Sequence, residues 1–456
     1  MMEEKVVLDQ ELNEELLLEL LERGDVESFR EEFLAQHPYD QATFFAKAEH
    51  EIRQQLYQYL SPKEMANTFE AIELDDDEYE DLFREMNVHY ASDLLSAMYT
   101  DDAVDILNKL NKEQVATYLT IMDKDSARQI KDLLHYEEYT AGSIMTTEFV
   151  SIPENSTVRS AMNILRNAAH NAETIYYVFV VDEDKRLSGI VTLRDLIISD
   201  EDILIKSIMN ERVVSVSVGE DQEEVARIIK DYDFLAMPVV DFQNHLLGII
   251  TVDDIIDVLD EEASDDYSKL AAVSDMDTFD KGPLTAAKKR LPWLILLTFL
   301  GMLTANLMGM FEATLDQVAL LAVFIPLIAG MAGNSGTQAL AVAVRGIATG
   351  DIEEESKMKL LFREAGTGLI TGVVCGIVVV GLVYFWKGEL LIGLLVGTAV
   401  MGSIFVATLA GSFIPLLIHH LNIDPAVASG PFITTLNDII SILIYLGLAT
   451  TFLGSL

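Results

Sequence analysis

Cysteine occurs once in this 456-residue chain, at Cys375 inside an apolar run. That excludes a disulfide within the chain and a zinc centre built on thiolates. Basic residues are scarce: 31 Lys and Arg stand against 74 Asp and Glu, a formal net charge of −43. A surface so negative repels phosphate, which excludes nucleic acid as a partner. The N-terminal stretch MMEEKVVLDQELNEELLLELLERGD has no basic segment leading into an apolar core, so no secretory signal is expected. Kinase, nucleotide-cyclase and DNA-binding signatures are also missing, and no enzymatic activity is expected.

What is present is divided unequally. After Gly282 the chain holds ten acids and eight bases, which leaves 64 acids against 23 bases before it, a net of −41. An acidic, soluble half thus precedes a nearly neutral, apolar half. Residues 1–135 are rich in Leu, Glu and Asp at helical spacing, as in EELLLELLERGDVESFREEFLA and SDLLSAMYTDDAVDILNKL. This pattern predicts an all-α domain of short amphipathic helices stacked in pairs.

Residues 136–262 contain an internal repeat. SIMTTEFVSIPENSTVRSAMNIL parallels SIMNERVVSVSVGEDQEEVARII, and YYVFVVDEDKRLSGIVTLRDLI parallels LAMPVVDFQNHLLGIITVDDII. β-branched runs alternate with amphipathic ones, and polar turns ending in Gly join the strands. The copies, through GIVTLRD (Gly189–Asp195) and GIITVDD (Gly248–Asp254), resemble tandem cystathionine-β-synthase (CBS) domains of α/β class. Residues 263–290 then form a connecting helix, interrupted by Gly282-Pro283.

From residue 291 to 456 five apolar spans are expected, near 291–310, 318–343, 364–386, 390–418 and 430–454. Each reaches the ~20 residues that a bilayer core requires. Lys288–Arg290 precede the first span, and Arg345, Lys357, Lys359 and Arg363 lie between the second and third. The positive-inside rule therefore sets the N-terminus in the cytoplasm and the C-terminus outside, in a multi-pass protein of the cell (inner) membrane. HHLNID is expected as a cytoplasmic loop.

The last span keeps Asp438, with Asn437 beside it and no base following. An ionised acid inside a span costs a few kcal/mol and faces a partner or an aqueous cavity. Two readings stand: a structural acid bonded to a neighbouring helix, and a cation site on a permeation path with Thr434, Thr435 and Ser441 on the same face. Oxygen-only candidates favour Mg²⁺, Ca²⁺ or Mn²⁺. One acid per chain points to a symmetric homodimer around the ion path. An intramembrane aspartyl protease would need a second deep carboxylate.

The acidic helical domain, tandem CBS units, connecting helix and five spans together resemble the MgtE family of magnesium channels and transporters. PLIAGMAGNSGTQALAVAVRGIATGDI and NIDPAVASGPFITTLNDIISILIYL carry the resemblance in the apolar half. It implies a homodimeric Mg²⁺ pore in the lipid membrane, with Asp438 as its cation ligand and the connecting helix as a plug. It also implies regulatory Mg²⁺ ligands among Asp101, Asp105, Asp221, Glu223, Asp233, Asp254, Asp257, Glu262, Asp265, Asp266 and Asp424. CBS domains often hold adenine nucleotides, so ATP is an expected ligand, with Asp195 at the ribose, Arg194 at phosphate and Tyr177 stacking on the base. Transport of Co²⁺, Mn²⁺ or Ca²⁺, and a non-transporting Mg²⁺ sensor, are the alternatives.

Overall fold

The computed structural model describes residues 2–72, 74, 76–273, 282–349, 352, 357–421 and 423–452, with backbone alone at 2–12, 76 and 77. Part of the expected connecting helix (274–281) and the last residues of the fifth span therefore lie outside the described residues. The chain divides into two compact units, Met1–Leu259 and Asp260–Leu456.

Among its described residues the first unit opens with the helices α1 (Met2–Arg23), α2 (Val26–Leu34), α3 (Pro38–Lys47), α4 (His50–Tyr59), α5 (Pro62–Glu70), α6 (Asp76–Glu85), α7 (Val88–Ala97), α8 (Thr100–Asn108), α9 (Lys112–Ile121) and α10 (Lys124–Leu133). Their starts are written in the sequence. Asp25, Asn87, Asn111 and Asp123 cap α2, α7, α9 and α10 by accepting from backbone N–H groups that would otherwise lack partners. Pro38 and Pro62 occupy first-turn positions, where a missing N–H costs nothing. An aromatic file runs through the stack: Phe45 meets Phe69 at 5.2 Å, Phe69 meets Phe83 at 6.0 Å, and Phe83 meets Tyr118 at 5.8 Å.

The repeat follows as two βαββα copies. The first holds β1 (Ser151–Pro153), α11 (Val158–Ala168), β2 (Tyr177–Val181), β3 (Leu187–Thr192) and α12 (Leu193–Ile198). The second holds β4 (Val216–Ser217), α13 (Gln222–Tyr232), β5 (Ala236–Val240), β6 (Leu246–Thr251) and α14 (Val252–Ala271). Each sheet runs in chain order, with one parallel and one antiparallel pairing. The duplication extends to fine detail. Asp182 and Asp241 each receive two backbone N–H bonds across their hairpin turn, and Lys185 and Asn244 take matching left-handed conformations. Gly189 and Gly248 are forced by proximity: a Cβ would stand 2.7 Å from Met209 Sδ in one copy and 2.6 Å from the Thr146 carbonyl oxygen in the other.

Among its described residues the second unit contains five helices long and apolar enough to cross a membrane: α15 (Pro283–Gly309), α17 (Ile325–Ala348, led by a 3₁₀ segment from Ala319), α18 (Lys357–Lys387), α19 (Leu390–His420) and α20 (Gly430–Phe452), with the short α16 (Glu312–Gln317) after α15. α19 is the central element and packs against α17, α18 and α20. α18 approaches it through Gly372 and Gly376, whose Cβ atoms would lie 2.8 Å from the carbonyl oxygens of Met401 and Gly397. Small residues thus allow the backbones to touch, as packing in lipid demands.

Two local expectations change. His419 and His420 belong to the last turn of α19 rather than to a loop. α18 begins at Lys357, before its expected apolar span, because Lys357, Lys359 and Arg363 extend the helix as a basic, membrane-edge turn.

Candidate functional site

α8 starts with Thr100, Asp101 and Asp102, so its N-terminal backbone dipole favours negative charge there. The Thr100 hydroxyl donates to Glu148 Oε1 at 2.5 Å, and the N–H of Tyr99 donates to Glu70 at 3.1 Å. In the second CBS copy, α14 begins beyond Thr251. Its hydroxyl lies 2.5 Å from Asp254 Oδ2 and 3.1 Å from Glu173 Oε1. Asp101, Glu173 and Asp254 each offer a carboxylate oxygen, and these oxygens all lie within 4.8 Å of one another. Asp101 Oδ1 and Glu173 Oε2 are buried without a hydrogen-bond partner among the described residues.

At that separation each pair of ionised carboxylates repels by about 3 kcal/mol at an effective dielectric of ~20. The protonation equilibria respond. Burial, reinforced by Asp102, Asp254 and Glu173, pushes Asp101 well above the usual carboxylate range. Burial and then Glu70, Asp254 and Asp105 push Asp102 up to about 8. Glu173 is pushed up to about 7 by burial and Asp254. Asp254 is pushed up to about 6 by burial, against the Thr251 hydrogen bond that lowers it. Two unpartnered buried oxygens among crowded acids form a donor set for a hard divalent cation, which would relieve both the repulsion and the unmet polar groups.

The sequence-derived ligands separate into groups. Asp101 and Asp254 meet, joined by Glu173, which the repeat does not signal because it lies in the α11–β2 connection (169–176), longer than its counterpart 233–235 in the second copy. Asp105 and Asp257 stay exposed beside this cluster and act through charge, on Asp102 and Asp254 respectively. Asp221 is the N-cap of α13, bonded to the Glu223 N–H, and both residues are exposed. Asp233 is the left-handed C-cap of the same helix.

In the second unit the end of α14 meets the segment before α20. Lys269 Nζ lies 2.5 Å from Asp424 Oδ2 and is also paired with Asp265. Asp424 further caps a 3₁₀ turn through the Ala426 N–H. Asp266 is pushed up to about 6 by burial and Asp424, against the lowering effect of Lys269. Glu262 adds to that field. The end of α14 thus meets Asp424 through an ammonium.

Asp438 is half-buried on α20, and no ion pair to its carboxylate occurs among the described residues. The hydroxyl of Thr434 lies 3.2 Å from that of Thr337 on α17. The Ser441 hydroxyl donates to the Asp438 backbone carbonyl, and Thr435 donates to that of Pro431. The hydroxyl side chains therefore serve helix contacts and the helix backbone.

A cavity of about 510 Å³ opens in the CBS pair, lined by Tyr176, Tyr177, Thr192, Leu193, Arg194, Ile197 and Leu235. Tyr177 and Arg194 occupy its wall. Asp195 is not among the lining residues; its Oδ2 accepts from the Thr192 hydroxyl and N–H in a capping box.

Three family descriptions match the chain: the MgtE intracellular N domain over residues 36–139, CBS domains over 141–202 and 205–261, and MgtE, a divalent cation transporter, over 325–448. The magnesium transporter MgtE of Enterococcus faecalis is 54% identical over 97% of this chain and 98% of its own length. Those of Bacillus subtilis and Thermus thermophilus are 38% and 36% identical, over 96% and 98% of this chain and the same shares of their own. Among solved structures, the soluble part of a magnesium transporter matches at 57% identity and TM-score 0.55, covering 56% of this chain and 99% of that one. The cytosolic domain of an Mg²⁺ channel MgtE in complex with ATP matches at 37% identity and TM-score 0.50, covering 53% and 98%.

Proposed function

This chain belongs to the MgtE family of divalent cation transporters, a multi-pass membrane protein, and on that premise we propose that it carries Mg²⁺ into the cell and closes when internal Mg²⁺ occupies its acidic domains. The observation that carries this reading is the triad of buried Asp101 with half-buried Glu173 and Asp254, two of whose oxygens lack a hydrogen-bond partner among the described residues. Carboxylate ligation suits Mg²⁺, and a cation bound there favours the arrangement that assembles all three ligands. The identity to magnesium transporters of three bacteria supports Mg²⁺ as cargo.

Asp438 is the cargo-facing acid. A carboxylate on a spanning helix without a basic partner interacts with a partly hydrated ion more cheaply than with lipid. The active form is a homodimer, in which two copies of Asp438 face one path near the symmetry axis. The N-terminal half is cytoplasmic, consistent with the basic residues at the starts of α15 and α18. ATP occupies the CBS cavity, where Tyr177 supplies a stacking face and Arg194 a phosphate partner. Asp195 reaches the ribose with the oxygen its cap leaves available.

The test is uptake into proteoliposomes of Mg²⁺, Mn²⁺, Co²⁺ and Ca²⁺ by the wild type and Asp438→Asn. Mg²⁺ uptake by the wild type, lost in the variant, is expected. Preference for another of these cations would replace Mg²⁺ as cargo, and absence of any flux would reduce the protein to a sensor.

A further inference from the structure

We propose that Asn437 is a positioning residue of the permeation wall: its buried side-chain amide sets the rotation of α20 about its own axis and thereby the direction of the Asp438 carboxylate. The inference rests on the reading of Asp438 given above.

Asn437 is 1% exposed, and neither Nδ2 nor Oδ1 has a hydrogen-bond partner among the described residues. The amide is driven into the seam where α17 and α19 touch. A Cβ on Gly336 of α17 would stand 1.9 Å from Asn437 Nδ2 and 3.2 Å from the Ala407 carbonyl oxygen of α19. A Cβ on Gly411 of α19 would stand 2.2 Å from the Gly336 carbonyl oxygen. Three helices therefore meet at one point, and only glycine leaves room for the amide. Ser403, one turn before Ala407 on α19, is likewise buried with an unpartnered hydroxyl. The seam is polar as well as tightly packed.

One turn earlier on α20, Thr434 makes the neighbouring contact. A Cβ on Gly333 would lie 2.9 Å from its Cγ2, and its hydroxyl meets that of Thr337. Thr434 and Asn437 thus key α20 against α17 over one helical turn. Successive residues on a helix lie ~100° apart, so burying Asn437 in the seam turns Asp438 to its half-buried flank. The planar amide fills the space that Gly336 and Gly411 leave at this crossing, and that close fit holds the rotation of α20, so the cation meets Asp438 at a fixed place.

The test compares Asn437→Ala, Asn437→Ser and Asp438→Asn in proteoliposomes, reading Mg²⁺ flux and the Mg²⁺-to-Ca²⁺ flux ratio. Asn437→Ala is expected to cut Mg²⁺ flux about tenfold and lower the ratio, with an unchanged elution profile, because misplacement of a charged group weakens its discrimination. Asn437→Ser, which keeps a hydroxyl, is expected to recover part of both flux and ratio. Wild-type flux and ratio in Asn437→Ala overturn the proposal. Should that variant fail to fold, Asn437→Ser decides alone: a lowered ratio supports the proposal and an unchanged one overturns it. Asp438→Asn separates the two claims. Normal flux in that variant defeats the reading of Asp438, whereas lost flux beside an unaltered Asn437→Ala defeats only the role of Asn437.

Discussion

The ammonium of Lys269 stands 2.5 Å from a carboxylate oxygen of Asp424. It also pairs with Asp265, four residues earlier on α14. Both ends of the Lys269–Asp424 pair are about one-third exposed, at 35% and 36%, so screening limits its worth to about 1 kcal/mol. Its position matters more than its strength. It ties the end of α14 to the segment that enters α20 by a charge that needs no metal.

Lys269→Gln is therefore expected to raise current at low internal Mg²⁺ while leaving closure at high Mg²⁺ intact, since a divalent ion can replace the ammonium among these acids. Patch recordings at two internal Mg²⁺ concentrations check this. Current at low Mg²⁺ equal to that of the wild type would remove Lys269 from gating.

Neutralising Glu262, Asp265 and Asp266 together is expected to have the opposite emphasis. The protein should stay open at high internal Mg²⁺, because the acids at the end of α14 that share the field of Lys269 and Asp424 are gone. The same recordings decide, and unchanged closure would exclude these three from the sensor.

Proton and metal should compete at the buried triad. Glu173 near 7, Asp254 near 6 and Asp102 near 8 all lie above the ~4 of a carboxylate in an unfolded chain. Between those limits the folded state binds more protons than the unfolded state, so stability falls as pH rises from about 4 to 8. Thermal unfolding without divalent cation should thus occur at lower temperature near pH 8.5 than near pH 5. Added Mg²⁺ should raise it more at the higher pH. A Mg²⁺ effect independent of pH would contradict ligation by these groups.

Arg194→Ala and Tyr177→Ala are each expected to weaken ATP binding about tenfold, by loss of a charge-assisted phosphate contact or of a stacking face. Isothermal titration measures it. Unaltered affinity in both would place ATP elsewhere than the 510 Å³ cavity.

The architecture was legible because each element announces itself through periodicity, capping or length. Asp25, Asn87 and Asn111 mark helix starts, and Lys185 and Asn244 sit in turns that the repeated Asp182 and Asp241 organise. Asp101 and Asp254 were legible as acids, and the structure brings them together. Glu173 was not, because its importance comes from tertiary proximity and it lies in a connection whose length differs between the two copies. Asp221 and Asp233, which the resemblance implies as ligands, stand at the two ends of α13 as its N-cap and C-cap, positions that the sequence pattern did not single out. Lys269 was hidden because a base among acids reads as a solvated helix face until Asp424 folds against it. Asn437 was visible only as the neighbour of Asp438; its contact with Gly336 depends on how α20 rotates in the bundle.

The most direct measurement is Mg²⁺ current through excised patches as internal Mg²⁺ is varied, for the wild type and for the combined Asp101→Asn, Glu173→Gln and Asp254→Asn protein. The wild type should close as internal Mg²⁺ rises, and the neutralised protein should need a much higher concentration to close. Identical closing curves for the two would contradict the assignment of the buried triad as the cation sensor.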